Sequence, residues 1–534
     1  LHRLIRRQRQ MCIRDSSVRV DKSTAEKKIR EIVGENANIK NVYFDDITGQ
    51  VYIEAEKPGI VIGPKGSTRK KITLETKWSP VIIRAPPLDS AIVSYSRILN
   101  EIYARQRLEF LREVGERIHR PYIFRNNRVR LSVLGGGREV GRVGILSKFD
   151  DTQLLVDYGL IPSEPPQYPQ EAPPIKNAIL SHAHLDHSGM MPWICTRYNA
   201  GVFTTPLTAE ISEILYRDTL KIADARGHPF PYGEDELNNC LSKFLYISQN
   251  DEVELDGLKI KFHPAGHIPG SVMVEIPEYG VVYACDINTI DTHLLKGAKP
   301  IKCETLFIEG TYAGVEHPNR KELEKQFLDE IEEVVNKGGK AIIPAFAVGR
   351  TQELAMILQK SGHEVWVDGM GIKISEIMLR HKDYIRSPEK LKKALKEMNI
   401  VYSNKGKKMA LKAGVVLTTS GMMNGGPVLW YIDKIKDDPK SAVFITGYQV
   451  EGTNGRMLLE NKEIELYGVK TKVDCQVKFF DFSAHAGHSQ LVKFIKDCSP
   501  ENVVIFHSDN PEALINEIDA NIFIPQNGDI IKID

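Results

Sequence analysis

No stretch of this chain constrains its fold as tightly as residues 181–189, S-H-A-H-L-D-H-S-G. The preceding N-A-I-L reads as a short buried strand, so the run occupies the loop at that strand's end. His182 and His184 alternate, and both can face one side of an extended backbone. Asp186 and His187 follow a turn and can address a second point. Imidazole and carboxylate are ligands that zinc prefers, and two metals about 3.5–4 Å apart need such a divided supply. The alternative is a polar surface loop, but such loops rarely hold so many metal-binding residues.

Further candidates close other apolar runs. Asp157 ends QLLVD, Asp286 ends VVYACD, Glu309 ends TLFIE and His507 ends VVIFH, while His267 lies in P-A-G-H-I-P-G-S and His485 in F-S-A-H-A-G-H-S. Taken singly, each reads as structural; an aspartate at a strand end is usually a turn cap. Their recurrence at strand termini beside a dense cluster reverses that weighting.

A chain of 534 residues is too long for one core. Short apolar strands separated by glycines fill 128–318, the first part of a β-rich domain. Strand–helix alternation over 319–465 marks an inserted α/β domain, and the β-rich texture returns over 466–534. The fold class is therefore α/β and multi-domain. Ahead of it, residues 17–92 fit a compact α+β module: a capped helix at 23–33, a hairpin at 40–55, V-I-G-P-K-G at 61–66, a helix to about Lys77 and a strand at 81–85. Residues 93–127 read as an arginine-rich linker helix. Residues 1–16 carry five arginines and no initial Met, and read as a disordered or non-native leader.

The formal net charge is +1, so a polyanionic partner would need a local basic patch. No apolar run reaches ~18 residues, so no membrane span is expected. No secretory signal is visible. Seven scattered cysteines, none in C-x-x-C, point to unpaired thiols in a reducing cytoplasm.

Taken in order, Asp157, His182/His184/Asp186/His187, His267, Asp286, Glu309, His485 and His507 resemble the motifs of metallo-β-lactamase-fold nucleases of the β-CASP group. The likeness is to the archaeal cleavage-and-polyadenylation-specificity-factor type, which carries KH domains ahead of the nuclease. It covers roughly 17–534 and implies an αββα sandwich with an inserted β-CASP domain. It implies two Zn²⁺, one held by His182, His184 and His267, the other by Asp186, His187 and His507, with Asp286 bridging. Asp157 would orient the ligand loop. The metals would supply hydroxide near neutral pH for in-line attack on phosphorus. His485, paired with Glu309, would protonate the departing ribose 3′-oxygen. Products would carry a 5′-phosphate and a 3′-hydroxyl.

Three positions depart from the family pattern. Ser508 follows His507 where Gly is usual. Glu309-Gly310-Thr311-Tyr312 stands where E-S-T-Y is usual, and Cys285 precedes Asp286 where Gly is usual. None removes a proposed ligand.

V-I-G-P-K-G resembles the GXXG loop of a KH domain, which clamps about four single-stranded nucleotides. Gly63 and Gly66 would allow close approach and Lys65 would add charge, although Pro64 removes a donor. An upstream KH-like module usual in archaeal relatives is not seen, which reads as a truncation. In the insertion, P-A-F-A-V-G-R (344–350), T-S-G-M-M-N-G-G-P (419–427) and G-Y-Q-V-E-G-T-N-G-R (447–456) follow apolar strands, where α/β folds bind ligands. As helix caps they would be structural. By resemblance they line an RNA groove, with contacts from Arg350, Ser420, Gly425, Gly452, Thr453 and Arg456. His507, where the DNA-processing branch carries Val, favours RNA.

The leading expectation is a two-zinc ribonuclease in RNA 3′-end formation or transcription termination. Such an enzyme cuts internally, alone or together with 5′-to-3′ exonuclease action. A homodimer through 501–534 and association with RNA polymerase or a termination complex are implied by resemblance alone. The competing readings are a small-molecule metallo-hydrolase, disfavoured by the insertion and the KH-like module, and an inactive RNA-binding scaffold, disfavoured by the complete ligand set.

Overall fold

The computed structural model describes residues 19–88, 90–106, 108, 129–163, 165–227 and 229–533. The chain divides into two compact units, Leu1–Phe124 and Arg125–Asp534. The expected leader and the linker helix beyond residue 108 lie outside the described residues.

In the first unit the Asp21 carboxylate accepts from the Thr24 N–H at 3.0 Å and starts the helix Lys22–Val33. Ala25, Ile29 and Val33, four apart, are its buried face. Strands β1 (Ile39–Asp45) and β2 (Gln50–Ala55) form the expected hairpin, and β3 (Ser79–Arg84) pairs parallel to β2. Short helices Pro58–Ile62 and Ser67–Thr76 flank the V-I-G-P-K-G turn. The helix Ala91–Ile102 supplies Arg97, whose guanidinium donates to both carboxylate oxygens of buried Glu54, at 2.9 and 2.5 Å.

The second unit is a sandwich of two seven-stranded sheets. One holds β4 (Val129–Gly135), β5 (Gly144–Phe149), β6 (Thr152–Val156), β7 (Asn177–Ile179), β8 (Gly201–Thr204) and β9 (Phe244–Tyr246), with β25 (Ile530–Ile533) beside β4. The other holds β10 (Glu252–Leu255), β11 (Leu258–Pro264), β12 (Val272–Ile276), β13 (Val281–Tyr283), β14 (Thr305–Glu309), β23 (Asn502–Phe506) and β24 (Asn521–Phe523), in that spatial order. The period-2 pattern divides each strand between two cores. Val504 and Phe506 join Ile145, Val156 and Phe262 between the sheets. Val503 and Ile505 face outward and pack on Leu491 and Ile495 of the helix His488–Cys498. Leu146 and Leu155 likewise face outward, onto Met191 and Ile194 of the helix Met191–Tyr198. The result is the αββα arrangement expected.

The inserted sheet is parallel, in the order β17 (Asn399–Ile400), β16 (Val365–Asp368), β18 (Val415–Thr418), β15 (Ala341–Pro344), β19 (Ala442–Ile445) and β22 (Gln476–Phe479). Both faces are covered, so β15, β16, β18 and β19 are fully buried. A hairpin of β20 (Glu463–Leu466) and β21 (Val469–Lys472) precedes β22. One boundary differs from expectation. β22, read as part of the returning β-rich segment from 466, pairs with β19 in the inserted sheet. Its sequence Q-V-K-F is half-exposed, as an edge strand is, and reads the same in either sheet. Among the described residues no helix is long and apolar enough to cross a membrane.

Candidate metal centre

The loops after β6, β7, β11, β13, β14 and β23 bring the strand-end candidates together. The crossing is tight: a Cβ on Gly159, just past Asp157, would lie 1.8 Å from the Asp186 carbonyl oxygen. Asp157, Cys285 and His507 take left-handed φ values of 59°, 53° and 50° as the chain leaves β6, β13 and β23. At Cys285 this explains the usual glycine, because a side chain there costs roughly 1–2 kcal/mol.

Four of the imidazoles are held from outside and face inward with the other nitrogen. Asp157 accepts from the Ser181 N–H at 2.8 Å, the Ser181 hydroxyl at 2.7 Å and His187 Nδ1–H at 2.7 Å. Ser181 Oγ, its proton given to Asp157, accepts from His182 Nδ1 at 3.0 Å. His267 Nδ1 donates to the Ala484 carbonyl at 2.9 Å. His507 Nδ1 lies 3.1 Å from Thr311 Oγ1, whose proton is directed at the His507 carbonyl oxygen 3.3 Å away. These bonds fix the tautomers of the four rings and point their Nε2 lone pairs inward, while His184 turns its Nδ1 toward His267.

The inner atoms lack partners. His182 Nε2, His187 Nε2, His507 Nε2 and both Asp286 oxygens are buried without a hydrogen bond. His184 Nδ1 and His267 Nε2 face each other at 3.0 Å. Asp286 Oδ2 lies 3.6 Å from His182, 3.3 Å from His187 and 3.6 Å from His267. His182, His184, His267 and Asp286 form one group whose ligand atoms lie within 4.8 Å of one another; Asp186, His187 and His507 form a second. Burial pushes His182 and His267 well below the ordinary imidazole range and His184 down to about 4. Neutral imidazole is the metal-binding form. Burial also disfavours charge on His187, but Asp286 and Asp157 pull its pKa well up. So many unpartnered lone pairs in one buried place are costly unless a cation satisfies them, and the donor set fits divalent metal.

His485 borders this centre, its ring centroid 4.5 Å from that of His267. Its Nδ1 donates to Glu309 Oε1 at 2.8 Å. Glu309 is fully buried and also accepts from the Ile287 and Thr311 N–H groups, at 3.2 and 3.0 Å. Burial lowers the His485 pKa, but the Glu309 and Asp286 charges outweigh it and raise it to about 9. His485 Nε2 points toward Asp286, 4.0 Å away.

Several supports escaped sequence reasoning. Ser181 opens the histidine run, and Thr311 stands two residues past Glu309. His317 Nε2 donates to the His485 carbonyl at 3.1 Å, and Tyr312 donates to Asp481 at 3.1 Å. No local spacing signals these long-range pairs. A third cluster, His293, Glu324 and Glu353, has metal-like spacing. Arg320, 3.2 Å from Glu324 and 2.7 Å from Glu353, already supplies its positive charge. Glu353 also accepts from the His293 and Leu294 N–H groups, tying the loop that follows Asp286 to the helix Arg350–Leu358.

The expected RNA contacts are spread more widely. Arg350 is buried and donates to the Thr446 carbonyl, within a helix whose every residue is buried. Thr453 caps the helix Asn454–Asn461, its hydroxyl donating to Val450 O at 2.6 Å and accepting from the Arg456 N–H at 3.3 Å. The Ser420 hydroxyl donates to Gly425 O at 3.3 Å. Arg456 is exposed, with Glu460 at 2.6 Å, and Gly452 is exposed. In the first unit Lys65 is exposed, but the Gly63 and Gly66 N–H groups are engaged by Gly59 O and Gly63 O, at 2.9 and 3.0 Å.

Sequence comparison agrees with this architecture. Residues 146–344 match the metallo-beta-lactamase superfamily, 351–458 the Beta-Casp domain, and 470–524 the Zn-dependent metallo-hydrolase RNA specificity domain. The chain is 33% identical over 570 residues to transcription termination factor FttA of Methanocaldococcus jannaschii, covering 97% of this chain and 90% of that one. It is 37% identical over 423 residues to RNase aCSPSF2 of Saccharolobus solfataricus, covering 76% and 85%. A crystal structure of a protein of unknown function from Enterococcus faecalis V583 shares the fold, with TM-score 0.51 and 15% identity, over 76% of this chain and all of that one. The chain belongs to the metallo-β-lactamase family with an inserted Beta-Casp domain, together with the archaeal FttA and aCSPSF2 proteins.

Proposed function

We propose that this chain is a zinc-dependent ribonuclease that cuts single-stranded RNA during 3′-end formation and transcription termination, leaving 5′-phosphate and 3′-hydroxyl ends. The carrying observation is the set of buried, unpartnered lone pairs on His182, His187, His507 and Asp286. His182, His184 and His267 would hold one zinc, Asp186, His187 and His507 a second, with Asp286 between them. Bound there, the metals would supply hydroxide at neutral pH and neutralise phosphate charge.

The chain's own residues do the rest. Asp157 and Ser181 lock two imidazoles in the ligand tautomer. Glu309 holds the proton on His485 and orients its ring. His485 Nε2 delivers that proton to the departing ribose oxygen. Lys65, Gly452 and Arg456 are the exposed candidates for RNA contact, and a KH-type role for the first unit belongs to the same proposal.

RNA and termination are supported by the names of the relatives, a transcription termination factor and an RNase. A place beside RNA polymerase, pairing of two copies through 501–534 and a cytoplasmic location are further parts of the proposal. The test is cleavage of a 5′-labelled single-stranded RNA by the protein and by an Asp186→Ala/His187→Ala variant. Internal cuts lost in the variant are expected. No cuts by the parent, despite bound zinc, would overturn the reading.

A further inference from the structure

Two of the three departures from the family pattern meet in space. Gly310 follows β14 and Ser508 lies just past β23, and these strands run side by side in parallel, with Glu309 opposite Phe506. Ser508 is fully buried and its hydroxyl donates to the Gly310 carbonyl at 2.6 Å. Gly310 has no room for a side chain: an added Cβ would lie 2.8 Å from Ser508 Oγ and 2.9 Å from Ser508 Cβ. The Gly310 N–H in turn donates to Phe506 O at 3.0 Å. One hydroxyl therefore fills the gap between two strand ends. Glu309, the partner of His485, stands on one; His507, an inward-facing imidazole, stands on the other.

We infer that Ser508 is a positioning residue, and that positions 310 and 508 are coupled. The crevice between the two strand ends takes one hydroxymethyl group: with serine at 508 there is no room for a side chain at 310, and a serine at 310 would need glycine at 508. The hydroxyl in that crevice keeps the Glu309 and His507 ends in register. The inference rests on the metal centre proposed above. It requires the two positions to be interchangeable only as a pair.

The experiment compares the parent with Ser508→Gly, Gly310→Ser and the double variant Gly310→Ser/Ser508→Gly. Three quantities are read: zinc affinity by competition with a chromophoric chelator, kcat and KM on single-stranded RNA, and Tm of the zinc-free protein. Each single variant is expected to lose about 10-fold or more in zinc affinity and kcat, with KM held. Gly310→Ser is the worse of the two because of the steric conflict. The double variant is expected to recover most of both losses, a rescue that two independent packing defects would not give. If the single variants fold poorly, recovery of Tm in the double variant reads the same coupling. Parent-like zinc affinity and kcat in Ser508→Gly, or a double variant no better than Gly310→Ser, would overturn the inference. If the parent binds zinc but cuts no RNA, the ribonuclease reading fails while the zinc affinities still decide this one.

Discussion

Two edges of the second unit collect polar residues at the ends of parallel strands, and they differ in what those residues lack. At the sandwich edge, His182, His187 and His507 are anchored from outside and unpartnered within, and both Asp286 oxygens are unpartnered. At the inserted sheet's edge, Ser420 and Thr453 donate to carbonyls of their own loops, and Arg350 donates to the Thr446 carbonyl of the loop beside it. Both edges carry motif-like sequences. A converging cluster of buried, unsatisfied polar atoms marks a place built for a ligand, whereas the inserted sheet's edge has only isolated ones, such as Gln352 Oε1 and Gln449 Oε1, among satisfied neighbours. Composition alone did not separate the two.

The contrast breaks first at His485. His485→Ala should lower kcat by about 10²–10⁴ while leaving KM and zinc content near the parent's. A smaller loss would remove the proton-donor role. Glu309→Gln sharpens the point. The acid must be protonated, so kcat falls as pH rises through the His485 pKa. Without the Glu309 charge that pKa drops, and the alkaline limb of the pH profile should move to lower pH. An unmoved limb would contradict the pairing.

The two arginines test the other edge. Arg350→Ala should destabilise by about 3 kcal/mol, as loss of a buried, hydrogen-bonded charge does, and leave the salt dependence of RNA binding unchanged. Arg456→Ala should leave Tm unchanged and reduce the salt slope by about 0.7. Reversed behaviour would make Arg350 an RNA contact after all.

A smaller effect belongs to the charge cluster linking the two edges. Burial alone would raise the Glu324 pKa, but His293 and Arg320 outweigh it and bring it from 4.5 to about 2. A carboxylate lowered on folding stabilises above its unfolded pKa and stops doing so as pH falls through its folded one. Glu324→Gln should therefore cost about 2 kcal/mol at pH 7, a difference that shrinks between pH 4.5 and 2. Denaturant unfolding of both proteins at pH 7 and pH 3 checks it; an equal gap at the two values would contradict the assignment.

Legibility in the sequence followed the range of the interactions. H-x-H-x-D-H was readable because its residues share one loop, and the short apolar strands separated by glycines declared a β-rich domain. Arg350 was named because it ends a glycine-rich stretch after an apolar strand, and nothing local says that it and the rest of its helix are buried. β22 misled because a half-exposed edge strand carries no mark of its sheet. His317, Tyr312 and Asp481 were missed because the partners they bond lie more than a hundred residues away. The Ser508–Gly310 coupling showed in sequence only as two separate departures.

The most direct measurement of the central claim is zinc per chain by elemental analysis after dialysis, for the parent and for Asp186→Ala/His187→Ala. The account predicts about two zinc in the parent and about one in the variant, with His182, His184 and His267 retaining theirs. No zinc in the parent, or the same content in both proteins, would contradict it.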